Sequence, residues 1–416
     1  MTEKTHYDVV IIGGGMAGWA LACGLAETAL KILVVDSQLP QSPNHWGDSF
    51  DPRVSAITCA SENILRSFGA WEFISSCRIA PYTDMDVWDG SGTGNIQFHS
   101  DETGVDYLGH IIENRVIQHS LYQASQQHKN ISYRQATLKE LTPIESGWQV
   151  QLSDGDLLEP LLVVGADGAR SQVREQAEFN MRSWAYDHTA IVTTIVTEKS
   201  HDNVARQSFL ETGPLGVLPL RKTSNDQHSC VSSIVWSAEE PRAQALMAMD
   251  DQGFNRALTR ALEGRLGNVI KSDQRFSFPL IQRHATDYIQ SGVVLIADAA
   301  HTLHPLAGQG INMGFLDAAV LAEEIGSNIT KGLPANEVLA LRRYQRRRKG
   351  HNLAMMSAME VFKRLFEQQK PPLRILRNAG MRFLNKHAMA KREMVSHAMG
   401  LSGDLPAIAQ RRIAEF

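Results

Sequence analysis

The amino-acid sequence predicts an α/β fold: a nucleotide-binding domain on a parallel sheet, an antiparallel sheet inserted into it, and a helical C-terminal region. Three observations carry that prediction. Residues 7–36 run from an apolar stretch through a glycine-rich turn and a small-residue helical stretch to a second apolar stretch, the pattern of one βαβ unit. Residues 188–236 break into TAIVTTIVT, VARQSFLE, PLGVLPL and HSCVSSIVW, β-rich segments separated by polar turns. Beyond Leu339 the apolar period becomes helical and the composition basic.

The elements follow in order. YDVVII is an unbroken apolar run, as expected of a parallel strand buried on both faces. GGGMAGWALACGLAETAL supplies the small residues of a tightly packed helix, and KILVVD closes the unit. Residues 81–99 predict a hairpin about the turn GSGTGN, and residues 110–128 a helix. ISYRQATLKEL and GWQVQLSDGD predict strands, and LEPLLVVGADGA another buried strand stopped by glycines. A helix is expected over 250–266, followed by the strand GVVLIAD and the stretch ADAAHTLHPLAGQGINMG. The chain thus divides into a discontinuous nucleotide-binding domain (1–75, 105–180 and 275–338), a sheet domain (76–104 and 181–274) and a basic helical region (339–416).

With 416 residues, 43% of them hydrophobic, the chain can bury two or three cores. Cys23, Cys59, Cys77 and Cys230 form no C-x-x-C pair, so neither a disulfide framework nor a thiolate metal site is expected, and a reducing cytoplasm fits. The run VVIIGGGMAGWALACGL lacks a preceding basic segment and follows Asp8 directly, unlike a secretion signal. No window reaches the roughly 20 apolar residues of a membrane span. Residues 339–416 hold 17 Lys and Arg against 5 Asp and Glu, a net +12, which leaves −16 for the remainder. No nucleic-acid partner is expected.

Three motifs carry chemistry. Gly13-x-Gly15-x-x-Gly18 needs glycine for a tight turn, for approach of backbone to a pyrophosphate and for helix–strand contact, while Asp36 ends the second strand where a ribose hydroxyl would lie. This fingerprint is Rossmann-like and does not choose between NAD and FAD. Gly165-Ala166-Asp167-Gly168-Ala169-Arg170-Ser171, with Arg174 beyond it, closes a strand; taken singly it is also an ordinary turn in which Asp167 bonds its own backbone. Asp298 ends the strand GVVLIAD, Pro305 stiffens the turn, and Gly308-Gln309-Gly310 expose amides at the start of the helix carrying Asn312. A helix N-terminus favours negative charge, such as that of a reduced flavin at its N1 and C2-oxygen edge.

The succession GGGMAG, DPRVSAI, GADGARS and ADAAHTLHPLAGQGINMG resembles the group A FAD-dependent aromatic hydroxylases, of para-hydroxybenzoate hydroxylase fold, along nearly the whole chain. HPLAGQGINMGF-x-D looks like the branch that hydroxylates polyprenylphenols in aerobic ubiquinone biosynthesis, and LGHIIENRVI, HDNVARQ, LRRYQRRRK and the late MGL look most like its bacterial 2-polyprenylphenol hydroxylases. The resemblance implies a Rossmann-like FAD-binding domain with an inserted antiparallel-sheet substrate domain. It implies that Gly13, Gly15, Gly18 and Asp36 hold the ADP half of FAD, that Arg53 lies near the flavin or its phosphates, and that Arg115 contacts the dinucleotide. Asp167 would serve FAD and a passing NAD(P)H, Asp298 the ribityl chain or pyrophosphate, and Gly308, Gly310 and Asn312 the isoalloxazine, with Pro305 a cofactor-binding position whose turn places that loop. Asp36 stands where many relatives have Glu, a shorter arm to the ribose.

The reaction implied consumes O2 and a transient NAD(P)H donor and hydroxylates a phenol ring through a flavin C4a-hydroperoxide, with a polyprenylphenol lipid as substrate. His301 and His304 are candidates for relaying the phenol proton, or, in the plainer reading, they hydrogen-bond the loop and hold its shape. Trp88, Trp184, Trp236 and Tyr186 could line a prenyl channel or belong to ordinary core. A flavin oxidase or dehydrogenase, and an assembly subunit of a lipid-biosynthetic complex, remain open alternatives. The basic tail suits a membrane surface, an acidic partner in such a complex or a homo-oligomer contact, and its arginine run by default is a solvated face.

Overall fold

The computed structural model describes residues 6–223, 225–226, 228–302, 310–367, 371–387, 391–395 and 399–410. Its nucleotide-binding sheet has six strands in the order Ile289–Gln290, Val293–Leu295, Leu162–Gly165, Val9–Ile12, Ile32–Asp36, Ile131–Gln135. All neighbours are parallel except the first pair. The apolar runs became strands because both faces are covered: Val9, Val10 and Ile11 are completely buried. The helix Met16–Gly24 packs against Asn114–Ser125 and against the long helix Gly310–Ile329.

The inserted sheet is antiparallel except where Val204–Leu210 runs parallel to Asp84–Asp89. Its order is His301–Thr302, Phe276–Ala285, Met181–Thr197, Val231–Glu239, Gly213–Leu220, Val204–Leu210, Asp84–Asp89, Asn95–His99, with Val269–Ser272 also pairing on Met181–Thr197. The hairpin expected over 81–99 is present as Asp84–Asp89 against Asn95–His99.

Two expectations need correction. The helix expected from residue 110 begins at Asn114, because His110–Ile112 belong to the strand Gly109–Glu113, which pairs with Val54–Thr58. Phe276–Ala285, assigned to the nucleotide-binding domain, is hydrogen-bonded along Met181–Thr197 in the antiparallel sheet, so the two domains share this crossing strand. Of the aromatic candidates, Trp88 and Trp236 are core residues packed with Phe254 and Leu258, and Trp184 is exposed. The side chain of Tyr186 lies outside what is described.

The tail is helical, Val338–Glu367 followed by Pro371–Lys386. Leu341, Tyr344, Arg348, Asn352 and Met356, spaced three or four apart, form the buried stripe of the first helix. The second docks on the hairpin: Arg377 pairs with Asp89, and Asn378 Oδ1 accepts from Gly94 N at 2.7 Å.

Candidate active site

The three motifs meet at the carboxyl edge of the parallel sheet because the strands that end in them are neighbours. Ile12 lies opposite both Val35 and Gly165, and Gly165 lies opposite Leu295. Backbone bonds continue the alignment past the strand ends: Gly13 N donates to Val35 O at 2.8 Å, Ala166 N to Ile12 O at 2.8 Å and Ile296 N to Gly165 O at 3.0 Å. In open α/β sheets this edge is where ligands bind.

Each glycine of the first motif answers a different constraint. Gly13 has φ +110° and a Cβ there would sit 2.3 Å from Ala166 O; one on Gly18 would sit 1.9 Å from Gly13 O. A Cβ on Gly15 would meet no atom of the described residues within 4 Å, so those residues leave this space open. Asp36 Oδ2 accepts from Gly14 N at 2.7 Å, and Gln118 Nε2 donates to Gly14 O at 2.7 Å, which fixes the loop from two sides.

Asp167 divides its two oxygens. Oδ2 accepts from Gln172 N at 2.7 Å and Val173 N at 3.2 Å at the start of a short helix, the plain turn role. Oδ1 is buried with no partner among the described residues, and burial pushes the carboxyl above its ordinary range. Arg174, from the same motif, donates to Ala169 O at 2.9 Å and to Ala299 O at 3.0 Å, joining the second motif to the third.

Asp298 lies in the turn Ala297–Ala299. The residue is exposed, yet enough protein lies around its carboxyl for desolvation to raise its pKa. Beneath the turn, Asp317 is completely buried: Oδ2 accepts from Ala297 N at 3.0 Å and faces His301 Nε2 at 2.5 Å, while Oδ1 accepts from Arg348 Nε at 2.7 Å and Asn352 Nδ2 at 3.2 Å. Burial alone would raise this carboxyl, but the charges and hydrogen bonds of His301 and Arg348 hold it well below the ordinary range. His301 is therefore buried and engaged in the loop's foundation.

The remaining candidates are placed as follows. Arg115 donates to Trp46 O at 3.1 Å and Ser49 O at 2.6 Å and pairs with Glu113 at 2.6 Å, while its buried Nε has no partner among the described residues. Arg53 is exposed at the start of Val54–Thr58. The Asn312 amide bonds to that strand: Nδ2 donates to Ala56 O at 2.8 Å and Oδ1 accepts from Thr58 N at 3.1 Å. Gly310 opens the long helix, and a Cβ there would meet no atom of the described residues within 4 Å. His304, Pro305 and Gly308 lie outside the described residues. Asp317, Arg348, Asn352 and Glu113 were not among the sequence candidates; the helical stripe through Tyr344 and Arg348 was the signal for two of them.

A family model described as "FAD binding domain" matches residues 6–359. The chain belongs to that family. Its cofactor is FAD, and it is an FAD-dependent monooxygenase. It is 34% identical to the "Ubiquinone biosynthesis monooxygenase COQ6, mitochondrial" of Xenopus tropicalis, over 95% of this chain and 94% of that protein. It is 33% identical to the "3-demethoxyubiquinol 3-hydroxylase" of Escherichia coli (strain K12), over 95% of this chain and 98% of that protein. Among solved structures it is similar to the p-nitrophenol 4-monooxygenase PnpA of Pseudomonas putida DLL-E4, with TM-score 0.77 and 19% identity over 96% of this chain and 99% of that one, a likeness of fold.

The residues fit FAD on this structure's own terms. No atom of the described residues lies within 4 Å of a Cβ placed on Gly15 or Gly310, buried Asp167 Oδ1 and Arg115 Nε lack protein partners among the described residues, and exposed Asp298 stands at the same sheet edge. When bound, FAD supplies the electron transfer and oxygen chemistry; the chain supplies backbone donors, placed carboxylates and a covered apolar neighbourhood.

Proposed function

We propose that this FAD monooxygenase hydroxylates the phenol ring of a polyprenylphenol intermediate of ubiquinone biosynthesis, as a 2-polyprenylphenol hydroxylase. The observation that carries the reading is the apolar cluster where the two domains meet. Ala56, on the strand held by Asn312, packs there with Tyr82, Leu108, Leu218, Val231 and Met399. An apolar cluster tied through Asn312 to the helix that follows the flavin motif supplies the carbon surface that a ring bearing an isoprenoid tail needs and that keeps water from the reacting oxygen. Full-length relatives named for ubiquinone biosynthesis support the same substrate class.

In this reading Gly13, Gly15, Gly18 and Asp36 hold the ADP half, Arg115 and Asp167 the middle, and Asp298 the ribityl chain, with NAD(P)H a visiting donor. His301 shapes the loop through Asp317 and does not relay the proton. Purified enzyme given FAD, NAD(P)H, a 2-polyprenylphenol and labelled O2 should place one labelled oxygen on the ring. Oxidised product without label would assign an oxidase or dehydrogenase instead.

The outward face of the tail belongs to the same proposal. Val361 is 64%, Ile375 69% and Phe383 58% exposed, with Arg364, Arg374 and Arg382 exposed beside them. Exposed apolar side chains among arginines suit the surface of an anionic membrane, where such a lipid substrate resides.

A further inference from the structure

Arg348 lies in the run LRRYQRRRK, whose charge marks a solvated helix face, yet it is completely buried. Its Nε donates to Asp317 Oδ1 at 2.7 Å and its Nη2 to Asn352 Oδ1 at 2.8 Å. The same Asp317 accepts from Ala297 N at 3.0 Å through its other oxygen. Ala297 is left-handed, with φ +51°, a conformation an L-residue adopts only where surrounding contacts over-determine it. The next residue is Asp298.

One helical turn earlier, Tyr344 Oη donates to Leu295 O at 2.8 Å, so the arginine helix grips this segment at a second point. The long helix must also come close, since a Cβ on Gly314 would lie 2.8 Å from that of Ala297.

We propose that Arg348 is a positioning residue of the FAD site: by holding and orienting the Asp317 carboxylate, it locks the left-handed Ala297 and thereby fixes where Asp298 stands at the sheet edge. The helix Val338–Glu367 is then part of the cofactor machinery and not only an appendage to it. This rests on the FAD site alone and is independent of which ring the enzyme hydroxylates. A charged acceptor makes the stronger bond to a backbone N–H, so neutralising or turning Asp317 loosens the turn.

The test titrates full-length apoprotein with FAD, following flavin fluorescence, at a temperature where circular dichroism shows each variant folded. Arg348→Met should raise the FAD Kd by about tenfold or more, the weight of one charge-assisted hydrogen bond, and Arg348→Lys should recover part of the loss. Arg377→Met is the control. It breaks an equally buried Arg–Asp pair in the tail, with Asp89, and should lower Tm while leaving FAD Kd within about twofold. If Arg348→Met does not fold, the double variant D317N/R348M carries the test, because the buried guanidinium and carboxylate charges are removed together. It should fold and still bind FAD less tightly, its neutral amide being the weaker acceptor. Folded Arg348→Met, or the double variant in its place, with parental FAD affinity would overturn the proposal.

Discussion

The basic tail inserts two arginines completely into the body of the protein, and the two do different things. Arg377 meets Asp89 on the hairpin, and its remaining donors go to Leu365 O at 3.0 Å and Phe366 O at 2.9 Å, the last carbonyls of the preceding helix. That pair fastens a helix end to a sheet edge. Arg348 meets Asp317, whose other oxygen holds the backbone of the cofactor turn and faces His301. The guanidinium–carboxylate chemistry is the same in both places; what the second carboxylate oxygen touches decides whether the pair serves docking or a site. The comparison predicts that breaking either pair costs stability, while only the break at Arg348 also costs cofactor affinity.

A large stability effect without loss of cofactor falls on the docking pair. Removing one partner of a buried ion pair leaves an uncompensated charge, at a cost of about 3–5 kcal/mol, so Arg377→Met should show that loss in chemical denaturation with FAD affinity retained. A parallel fall in FAD affinity would merge the two regions. Gly15→Ala tests the converse. Gly15 has φ −75° and a Cβ there meets no atom of the described residues within 4 Å, so the apoprotein should be as stable as its parent within about 0.5 kcal/mol. The methyl nevertheless fills space meant for ligand, and FAD affinity should fall about 100-fold, or roughly 2.7 kcal/mol. Unchanged affinity would mean that the clear space is not the cofactor's.

Acid should act first on the cofactor side. Burial, helped by the nearby charges of His301, Lys349 and Arg182, lowers the His284 pKa from 6.5 to about 4. Its Nε2 faces Tyr288 Oη at 3.0 Å, and that oxygen accepts from Asn352 Nδ2 at 3.3 Å. Between these pKa values the unfolded chain binds a proton that the folded one refuses. Stability from this histidine is therefore complete above about pH 6.5 and declines as pH falls toward 4, by on the order of 1–2 kcal/mol. His284→Gln should flatten denaturation midpoints measured across that window; a slope identical to the parent's would remove His284 as its source.

What the sequence made legible follows the distance over which each constraint acts. The glycine fingerprint, the strand KILVVD and the Asp298 segment are local, and each turned up at the strand end where its residues demanded it. Partners far apart were not legible in that way. Asp317 and Arg348 are 31 residues apart, and Asn312 bonds to Ala56, 256 residues away. Phe276–Ala285 went unread as a strand because Ser277 and Pro279 interrupt its apolar run; its pairing is supplied by Met181–Thr197. The arginine run misled for another reason. Charge counts ignore helical phase, and at 3.6 residues per turn Arg348 falls in line with Leu341 and Tyr344, on the buried side.

The smallest effect on folding should come from the outer face of the last helix, where the comparison is sharpest. Ile375 and Phe383 are eight residues apart, two turns along one side of Pro371–Lys386, and both are largely exposed. The inward side of that helix, through Arg377 and Met381, carries the docking. Replacing both outward residues, I375S/F383S, removes apolar surface that already faces water, so stability should change by less than about 0.5 kcal/mol and FAD affinity not at all. Binding to vesicles containing anionic lipid should fall, since both apolar side chains and the flanking arginines contribute to an interfacial helix. Sedimentation with vesicles of neutral and anionic composition measures this directly. Unaltered sedimentation together with a lower mass for the variant on sizing would give this face to self-association instead. A large loss of stability would show that these side chains pack inward, and would end the distinction between a docked face and a free one.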